Sequence, residues 1–195
     1  MTANHKITRA ARRQLSGVFL FMALILPVCA CAPEMRFETL REGIESRGHY
    51  IDGVPFLRQP VSSCGPAALA TVFSFLGRSV EIEAIKRTIY LPSLQGTLPS
   101  DMERYARSQG FQVTAGPKTY DALAAALREN VPVICLLDLG YSMYKQPHYV
   151  TVIGYDDVRG AIIMHDGESP NRVLSKDRFL SAWSRTRNWM MVVKP

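Results

Sequence analysis

The 195-residue sequence has few of the residues that build a metal centre or a nucleic-acid-binding surface. Its four cysteines and four histidines do not form the closely spaced cluster of a zinc site. It also lacks a basic patch interleaved with aromatic side chains, an internal repeat, a low-complexity segment and a phosphate-binding loop. We therefore expect one domain that needs neither metal nor organic cofactor, and no nucleic-acid partner.

Excess charge is also scarce over most of the chain, although the formal net charge is +6. Residues 1–33 contain no acidic side chain and hold four basic ones, Lys6, Arg9, Arg12 and Arg13. Removing these four from the 23 Lys and Arg residues leaves 19 basic residues against 17 acidic ones, a net charge of only +2. The basic character therefore belongs mainly to the N-terminus.

This N-terminus has the features of an export signal. The basic start precedes an apolar run over residues 15–28, which is short for a membrane span but has the length of a secretion signal. Val28-Cys29-Ala30-Cys31 resembles the lipobox of bacterial lipoproteins, which implies that Cys31 becomes the diacylated first residue and anchors the protein to a membrane. Ordinary cleavage after Ala30 is the alternative. The residue after Cys31 is Ala32 and not Asp. By resemblance to the sorting rule of enteric bacteria, this favours the outer membrane.

We accordingly expect an exported protein on the periplasmic face of a bacterial membrane, the outer membrane in particular. Residues 1–31 are predicted to be a signal peptide with a lipobox-like end, residues 32–50 a polar tether, and residues 51–195 the folded domain.

Within the domain, helical patterns come first and strand patterns later. Five helices are expected, over residues 64–76, 81–90, 99–109, 121–130 and 176–184. Five strands are expected, over residues 111–115, 131–138, 148–155, 161–166 and 188–193. This order predicts an α+β fold in which the first helix is central and packs on an antiparallel sheet.

The first helix begins at a cysteine. A proline-punctuated extended segment ends at Cys64, and Pro66 stands where a first-turn proline is tolerated. A helix N-terminus stabilises an anion, so the thiolate of Cys64 is favoured and a nucleophile is the natural interpretation. Gln59 is placed to donate its amide to a developing oxyanion together with the Cys64 N–H. A small buried cysteine beside a helix cap is the alternative.

The remaining cysteines are not expected to act as nucleophiles. Cys29 leaves with the signal peptide, Cys31 is acylated, and Cys135 lies in an apolar run that predicts a buried strand. A Cys64–Cys135 disulfide is the competing account in an oxidising compartment.

A histidine and a carboxylate are expected to meet at one end of the sheet. If the strands over residues 148–155 and 161–166 form a hairpin centred near residues 157 and 158, His148 lies opposite about Gly167 and next to Asp166. His148 would then act as the base for Cys64, with Asp166 fixing the imidazole tautomer. His165 is expected on the opposite face of its strand and is left out of the site.

Several of these segments together resemble family thirty-nine of the cysteine peptidases, the papain-like enzymes that cut leader peptides after a double glycine. The resemblance rests on Gln59, Cys64-Gly65-Pro66-Ala67-Ala68-Leu69, Gly77, Gly96-Thr97-Leu98-Pro99-Ser100-Asp101, His148-Tyr149-Val150-Thr151-Val152-Ile153-Gly154 and Asp166-Gly167. It covers about residues 51–195 and is closer to the free-standing branch than to transporter-fused domains.

The resemblance implies a papain-like fold with Cys64 as nucleophile, His148 as general base, Asp166 as orienting acid and Gln59 as oxyanion donor. It also implies a peptide or protein substrate, such as a leader or secreted protein, and a secretion apparatus as a partner. Two departures, Gly167 where the family often has Pro and Ser63 where transporter-fused members often have an acid, put double-glycine specificity in doubt.

Three other functions fit parts of the pattern. An NlpC-type cell-wall endopeptidase shares the fold and is often a lipoprotein, but usually has a second His where this chain has Asp166. A non-catalytic peptide-binding module in export would not need the Cys64 thiol. Acyl transfer in place of hydrolysis would use the same acyl-enzyme. The loop over residues 140–147 is expected to form a wall of the substrate groove.

Overall fold

The computed structural model describes residues 35–59, 62–140 and 145–195. The predicted signal peptide, Cys31 and residues 141–144 of the predicted groove wall lie outside these ranges. Among the described residues, no helix combines the length and apolar character needed to cross a membrane.

Six α-helices and nine strands are described in the chain. The helices are α1 (Phe37–Arg41), α2 (Cys64–Phe75), α3 (Ile82–Ile89), α4 (Pro99–Ser108), α5 (Tyr120–Arg128) and α6 (Lys176–Ser184). The strands are β1 (Gly48–Tyr50), β2 (Tyr90–Leu91), β3 (Gly96–Thr97), β4 (Gln112–Pro117), β5 (Val133–Asp138), β6 (Pro147–Asp156), β7 (Ala161–His165), β8 (Arg172–Ser175) and β9 (Trp189–Lys194). Short 3-10 helices lie at Ile44–Ser46 and Pro92–Leu94.

The main sheet is antiparallel and has helices on both faces. Its strand order is β4-β9-β5-β6-β7-β8, with β1 pairing the far end of β6. Helices α2, α3 and α4 cover one face through buried residues such as Phe73, Ile85 and Met102. Helices α5 and α6 cover the other face through residues such as Leu127 and Trp183. The predicted α+β fold, with a central N-terminal helix packed on an antiparallel sheet, is confirmed.

Helix α2 owes its central place to its composition. Every residue from Gly65 to Phe73 is buried, because the segment is apolar on all sides and contains no charge. Leu69 and Phe73 are fully buried against the sheet and the neighbouring helices. The first residue of α2, Cys64, is therefore held at a fixed point over the sheet.

The segment before the domain differs from the predicted tether in its described part, residues 35–50. Leu40 and Ile44 are each 1% exposed and pack on Ile153 and Ile163. Arg47 donates to the fully buried carboxylate of Asp156 at 2.9 Å. These residues belong to the folded domain, because their apolar side chains complete a third small core at the edge of β6 and β7.

The predicted hairpin exists, but its register is displaced. Thr151 lies opposite His165 on β7, where the prediction put Met164. A bulge between Val152 and Gly154 shifts the pairing again toward the turn. The displacement is one residue at the end of β7, so the prediction that His148 and Asp166 lie close together holds.

Candidate active site

Cys64 is the first residue of α2 and is partly exposed. As a first-turn residue its backbone N–H has no intrahelical acceptor, and the helix dipole favours a negative charge there. The Sγ atom also accepts hydrogen bonds from the backbone N–H groups of Tyr149 and Gly65. The thiol therefore lies where several N–H dipoles converge on a developing thiolate.

His148, near the start of β6, makes a side-chain hydrogen bond with Cys64. Its Nε2 lies 2.8 Å from the backbone carbonyl oxygen of Asp166. Since a carbonyl oxygen only accepts, Nε2 carries a proton and donates a hydrogen bond to the Asp166 carbonyl. Nδ1 is left as the ring nitrogen that exchanges a proton with Sγ, and this is the arrangement that a general base needs.

The pKa values of the pair move toward each other. Burial by itself raises the pKa of Cys64. The pKa nevertheless lies below its ordinary value, because the thiolate is stabilised by hydrogen bonds from His148 and from the N–H groups of Tyr149 and Gly65, and by the charge of His148. Burial by itself lowers the pKa of His148, but the hydrogen bond and charge of Cys64, with the Asp166 carbonyl, raise it above its ordinary value. Both shifts favour a thiolate–imidazolium pair.

Asp166 lies beside His148 as expected, but the contact is made by a different group. Its carboxylate, in a residue only 3% exposed, turns to Arg172 at 2.5 Å and to the N–H groups of Glu168 and Ser169 at 2.9 and 2.7 Å. The expected contact between carboxylate and imidazole is thus replaced by one from the main-chain carbonyl. Burial raises the pKa of Asp166, but Arg172 and the two N–H groups bring it below its ordinary value.

Gln59 and Cys64 line the same small cavity, of about 10 Å³. The Gln59 N–H donates to the Gly167 carbonyl at 2.9 Å, and its side chain lies directly over the Gly167 Cα. Gly167 has φ +85°, a conformation that a glycine adopts without strain. This explains the departure from Pro at this position, since a side chain here would occupy the space of the Gln59 amide.

Two residues beside the site were missed in the sequence. Tyr149 supplies an N–H to Sγ, and its hydroxyl donates to the Thr97 carbonyl at 3.1 Å. His165 lines the cavity with Gln59 and Cys64, whereas Asp166 faces a separate cavity of about 510 Å³ beneath α6. Alternation along the strand correctly predicted that His165 and Asp166 lie on opposite faces. We expected the site on the face of Asp166, but α2 covers the face of His165.

Cys64 and Cys135 are both free thiols, which excludes the alternative disulfide between them. Cys135 is fully buried in the core beneath α5 and α6, and burial raises its pKa above the ordinary value. Among the described residues, no group of three or more His, Cys, Asp or Glu side chains is arranged to hold a metal ion.

The loop that leads into His148 is closed at its base. Asp138 accepts hydrogen bonds from the N–H groups of Gly140 at 3.0 Å and Gln146 at 2.9 Å. Leu139 donates to the Gln146 carbonyl at 3.0 Å. This clamp holds the point at which the chain enters β6, and the proposed groove wall over residues 140–147 remains a prediction.

Several known proteins are similar to this chain. A model described as the Peptidase C39-like family matches residues 51–191. A comparison with curated proteins finds no match. Among solved structures, the peptidase domain of Streptococcus ComA, a bifunctional ABC transporter involved in a quorum-sensing pathway, is 22% identical with a TM-score of 0.59, over 73% of this chain and 98% of that chain.

A C39-like peptidase from Bacillus anthracis has a TM-score of 0.64 at 15% identity, over 76% of this chain and 98% of that chain. A double-glycine-motif protease from an AMS/PCAT transporter, solved with its leader peptide, has a TM-score of 0.60 at 17% identity, over 75% and 94% of the two chains. At these identities the likeness shows the fold alone, and it confirms the papain-like fold.

Proposed function

This chain belongs to the Peptidase C39-like family, and from that membership and the geometry at Cys64 we propose that it is a cysteine peptidase that cleaves a peptide or protein substrate. The observation that carries the proposal is the hydrogen-bonded Cys64–His148 pair, in which the pKa of the thiol is lowered and that of the imidazole is raised. A structural cysteine in a core shows the opposite shift, as Cys135 does.

In the proposed reaction the Cys64 thiolate attacks the carbonyl carbon of the scissile peptide bond and forms a C–S bond. The resulting oxyanion accepts hydrogen bonds from the Cys64 N–H and from the side-chain amide of Gln59. His148, protonated and oriented by the Asp166 carbonyl, gives its proton to the leaving nitrogen as the C–N bond breaks. Water, deprotonated by His148, then releases the acid from the thioester.

The nucleophile is tested by the alkylation of Cys64 with iodoacetamide as a function of pH. In the full-length chain, mass mapping separates Cys64 from the other cysteines, and Cys135 serves as an internal control because it is fully buried. We expect rapid alkylation of Cys64 well below the ordinary cysteine pKa of about 8.5, and loss of this in His148→Ala. Slow alkylation of Cys64 in both proteins would contradict the proposal and favour a peptide-binding module.

The substrate is proposed to be a leader or secreted protein. Its support is the double-glycine-motif protease, which shares this fold and was solved with a leader peptide. Incubation with a peptide library, followed by mass spectrometry, would identify the cleaved bond. Cleavage that is lost in Cys64→Ala supports the proposal, and digestion of purified peptidoglycan in place of peptides would favour a cell-wall endopeptidase.

Export and a lipid anchor at Cys31 are proposed from the N-terminal sequence alone. Labelled palmitate should be incorporated into the wild-type protein in bacterial cells and should be absent from Cys31→Ser. Membrane fractionation should then place the wild-type protein with the outer membrane. Release of an unlabelled wild-type protein into the periplasm would show ordinary signal cleavage.

A further inference from the structure

His165, the last residue of β7, is buried and uses both of its ring nitrogens. Its Nδ1 lies 3.2 Å from the Asn171 N–H, and its Nε2 lies 3.1 Å from the Val54 carbonyl oxygen. The first nitrogen must accept and the second must donate, so the ring is neutral with its proton on Nε2. The residue is 6% exposed, and its burial brings its pKa below the ordinary value.

These contacts join His165 to the segment that carries Gln59. Residues 54–59 belong to no helix or strand, so no ladder of backbone hydrogen bonds holds them in place. The segment is bound to the end of β7 at Val54, through Nε2 of His165, and at Gln59, through the Gly167 carbonyl. Between these points the Phe56 ring meets the imidazole edge-on, with centroids 5.5 Å apart.

The position of the imidazole also relates it to the nucleophile. His165, Gln59 and Cys64 line one cavity of about 10 Å³, which has room for about one water molecule. A movement of residues 54–59 away from the ring would therefore change the place of the Gln59 amide relative to Sγ. Catalysis depends on such placement, because oxyanion donors act through their fixed orientation.

We propose that His165 is a positioning residue for the oxyanion donor, which acts by holding residues 54–59 so that the Gln59 amide faces the carbonyl attacked by Cys64. The inference rests on the proposed function, since it gives His165 a role only in a reaction that develops an oxyanion. It does not make His165 a proton carrier, because both ring nitrogens are already occupied by main-chain groups.

Two amide substitutions separate the two hydrogen bonds of the ring. In His165→Asn the amide oxygen reaches about the position of Nδ1 and keeps an acceptor for Asn171, but the donor to Val54 is lost. In His165→Gln the terminal amide reaches about the position of Nε2 and keeps that donor. We expect the Gln variant to retain the function of the site and the Asn variant to lose it.

The measurement compares two reactions of Cys64 in the full-length chain. Alkylation by iodoacetamide displaces iodide from a saturated carbon and develops no oxyanion. Acetyl-Gly-Gly-aldehyde forms a hemithioacetal whose oxygen occupies the oxyanion position, and it protects Cys64 from alkylation. The aldehyde concentration that half-protects Cys64, called the protecting concentration, therefore measures how well the site stabilises the oxygen of the hemithioacetal. The alkylation rate without aldehyde measures the reactivity of the Cys64 thiolate.

We expect His165→Asn and Gln59→Ala each to raise the protecting concentration by about tenfold or more, since loss of one oxyanion donor costs ~10²–10³ in kcat. The alkylation rate without aldehyde should be unchanged in His165→Asn, because that reaction develops no oxyanion. In the Gln59→Ala background, His165→Asn should have no further effect, because the residue through which it acts is already absent. Urea midpoints establish that each variant is folded in the assay.

Other results would contradict the positioning role of His165, the oxyanion site or the proposed function, each in a distinguishable way. An equal effect of His165→Asn with and without Gln59, or a loss of protection in His165→Gln, would overturn the positioning role. If His165→Asn does not fold, the protection retained or lost in His165→Gln decides in the same way. If the wild type is alkylated rapidly but is not protected by acetyl-Gly-Gly-aldehyde, the aldehyde of the peptide that is cleaved in the library replaces it, and a lack of protection by that aldehyde would refute the oxyanion site alone. Slow alkylation of the wild type would refute the proposed function.

Discussion

Replacing Gly167 by Ala should displace Gln59, the proposed oxyanion donor, without touching Cys64, the proposed nucleophile. A Cβ at this position would lie 2.5 Å from Cδ, 2.6 Å from Oε1 and 2.8 Å from Cγ of Gln59. Carbon contacts are optimal at about 3.5–4.0 Å, so the Gln59 amide must move by about 1 Å. Because Gly167 and Gln59 are also joined by a backbone hydrogen bond, the glycine cannot simply withdraw.

The cost in stability can be separated from the cost in placement by a matched control. Gly167 has φ +85°, and Gly110, just after α4, has φ +87° with nothing within 4 Å of an added Cβ. A left-handed conformation costs a residue with a side chain about 1–2 kcal/mol. We therefore expect Gly167→Ala and Gly110→Ala each to lose about this much free energy of unfolding, with a further loss in Gly167→Ala from the contact with Gln59.

The assay is the protection of Cys64 by acetyl-Gly-Gly-aldehyde, with urea unfolding measured in parallel. We expect protection to weaken by about tenfold or more in Gly167→Ala and to stay at the wild-type level in Gly110→Ala. Alkylation by iodoacetamide alone should be the same in all three proteins. If Gly167→Ala binds the aldehyde as the wild type does, Gln59 is not the oxyanion donor and the reasoning is refuted.

Three further outcomes are expected from the contacts around the site and at the domain edge. The lowered pKa of the Cys64 thiol adds stability that is present above the ordinary cysteine pKa and is lost as pH falls through the lowered value, and the raised pKa of the His148 imidazole adds stability that is present below the ordinary histidine pKa and is lost as pH rises through the raised value; urea midpoints against pH should therefore be flatter in His148→Ala. Asp166→Asn should leave the alkylation of Cys64 at pH 6 almost unchanged, because the main-chain carbonyl holds the imidazole; a loss as large as that in His148→Ala would return the orienting role to the carboxylate. Leu40→Ala should lower the free energy of unfolding by about 2–5 kcal/mol, because Leu40 is buried in the domain, whereas a residue of a free tether would give no change in the urea midpoint.

The place of Cys64 at a helix N-terminus was predictable because its signals are local. The extended segment before Cys64, Pro66 in the first turn and the apolar run that follows together define a helix N-terminus, and the structure begins α2 at Cys64. The apolar run around Cys135 likewise predicted a buried strand, and β5 contains it. Periodicity and capping act over a few residues, so one sequence is enough to find them.

The partners of the imidazole were predicted only in part. Pairing β6 with β7 brings Asp166 to His148, but whether its carboxylate or its carbonyl makes the contact depends on the turn after β7. There Arg172 and the N–H groups of Glu168 and Ser169 take the carboxylate away. Residues 35–50 were misjudged for a related reason, since their polar composition does not reveal that Leu40 and Ile44 meet the edge of β6 and β7.

The sequence by itself determined the order of elements, the α+β class and the place of Cys64 at a helix N-terminus, because these follow from spacing along the chain. Only the tertiary structure decided which groups surround the thiol. His165 reaches Val54 across 111 positions, and Gln59 rests on Gly167 across more than one hundred. Such contacts depend on strand register and on the packing of distant segments, and no local pattern encodes either of them.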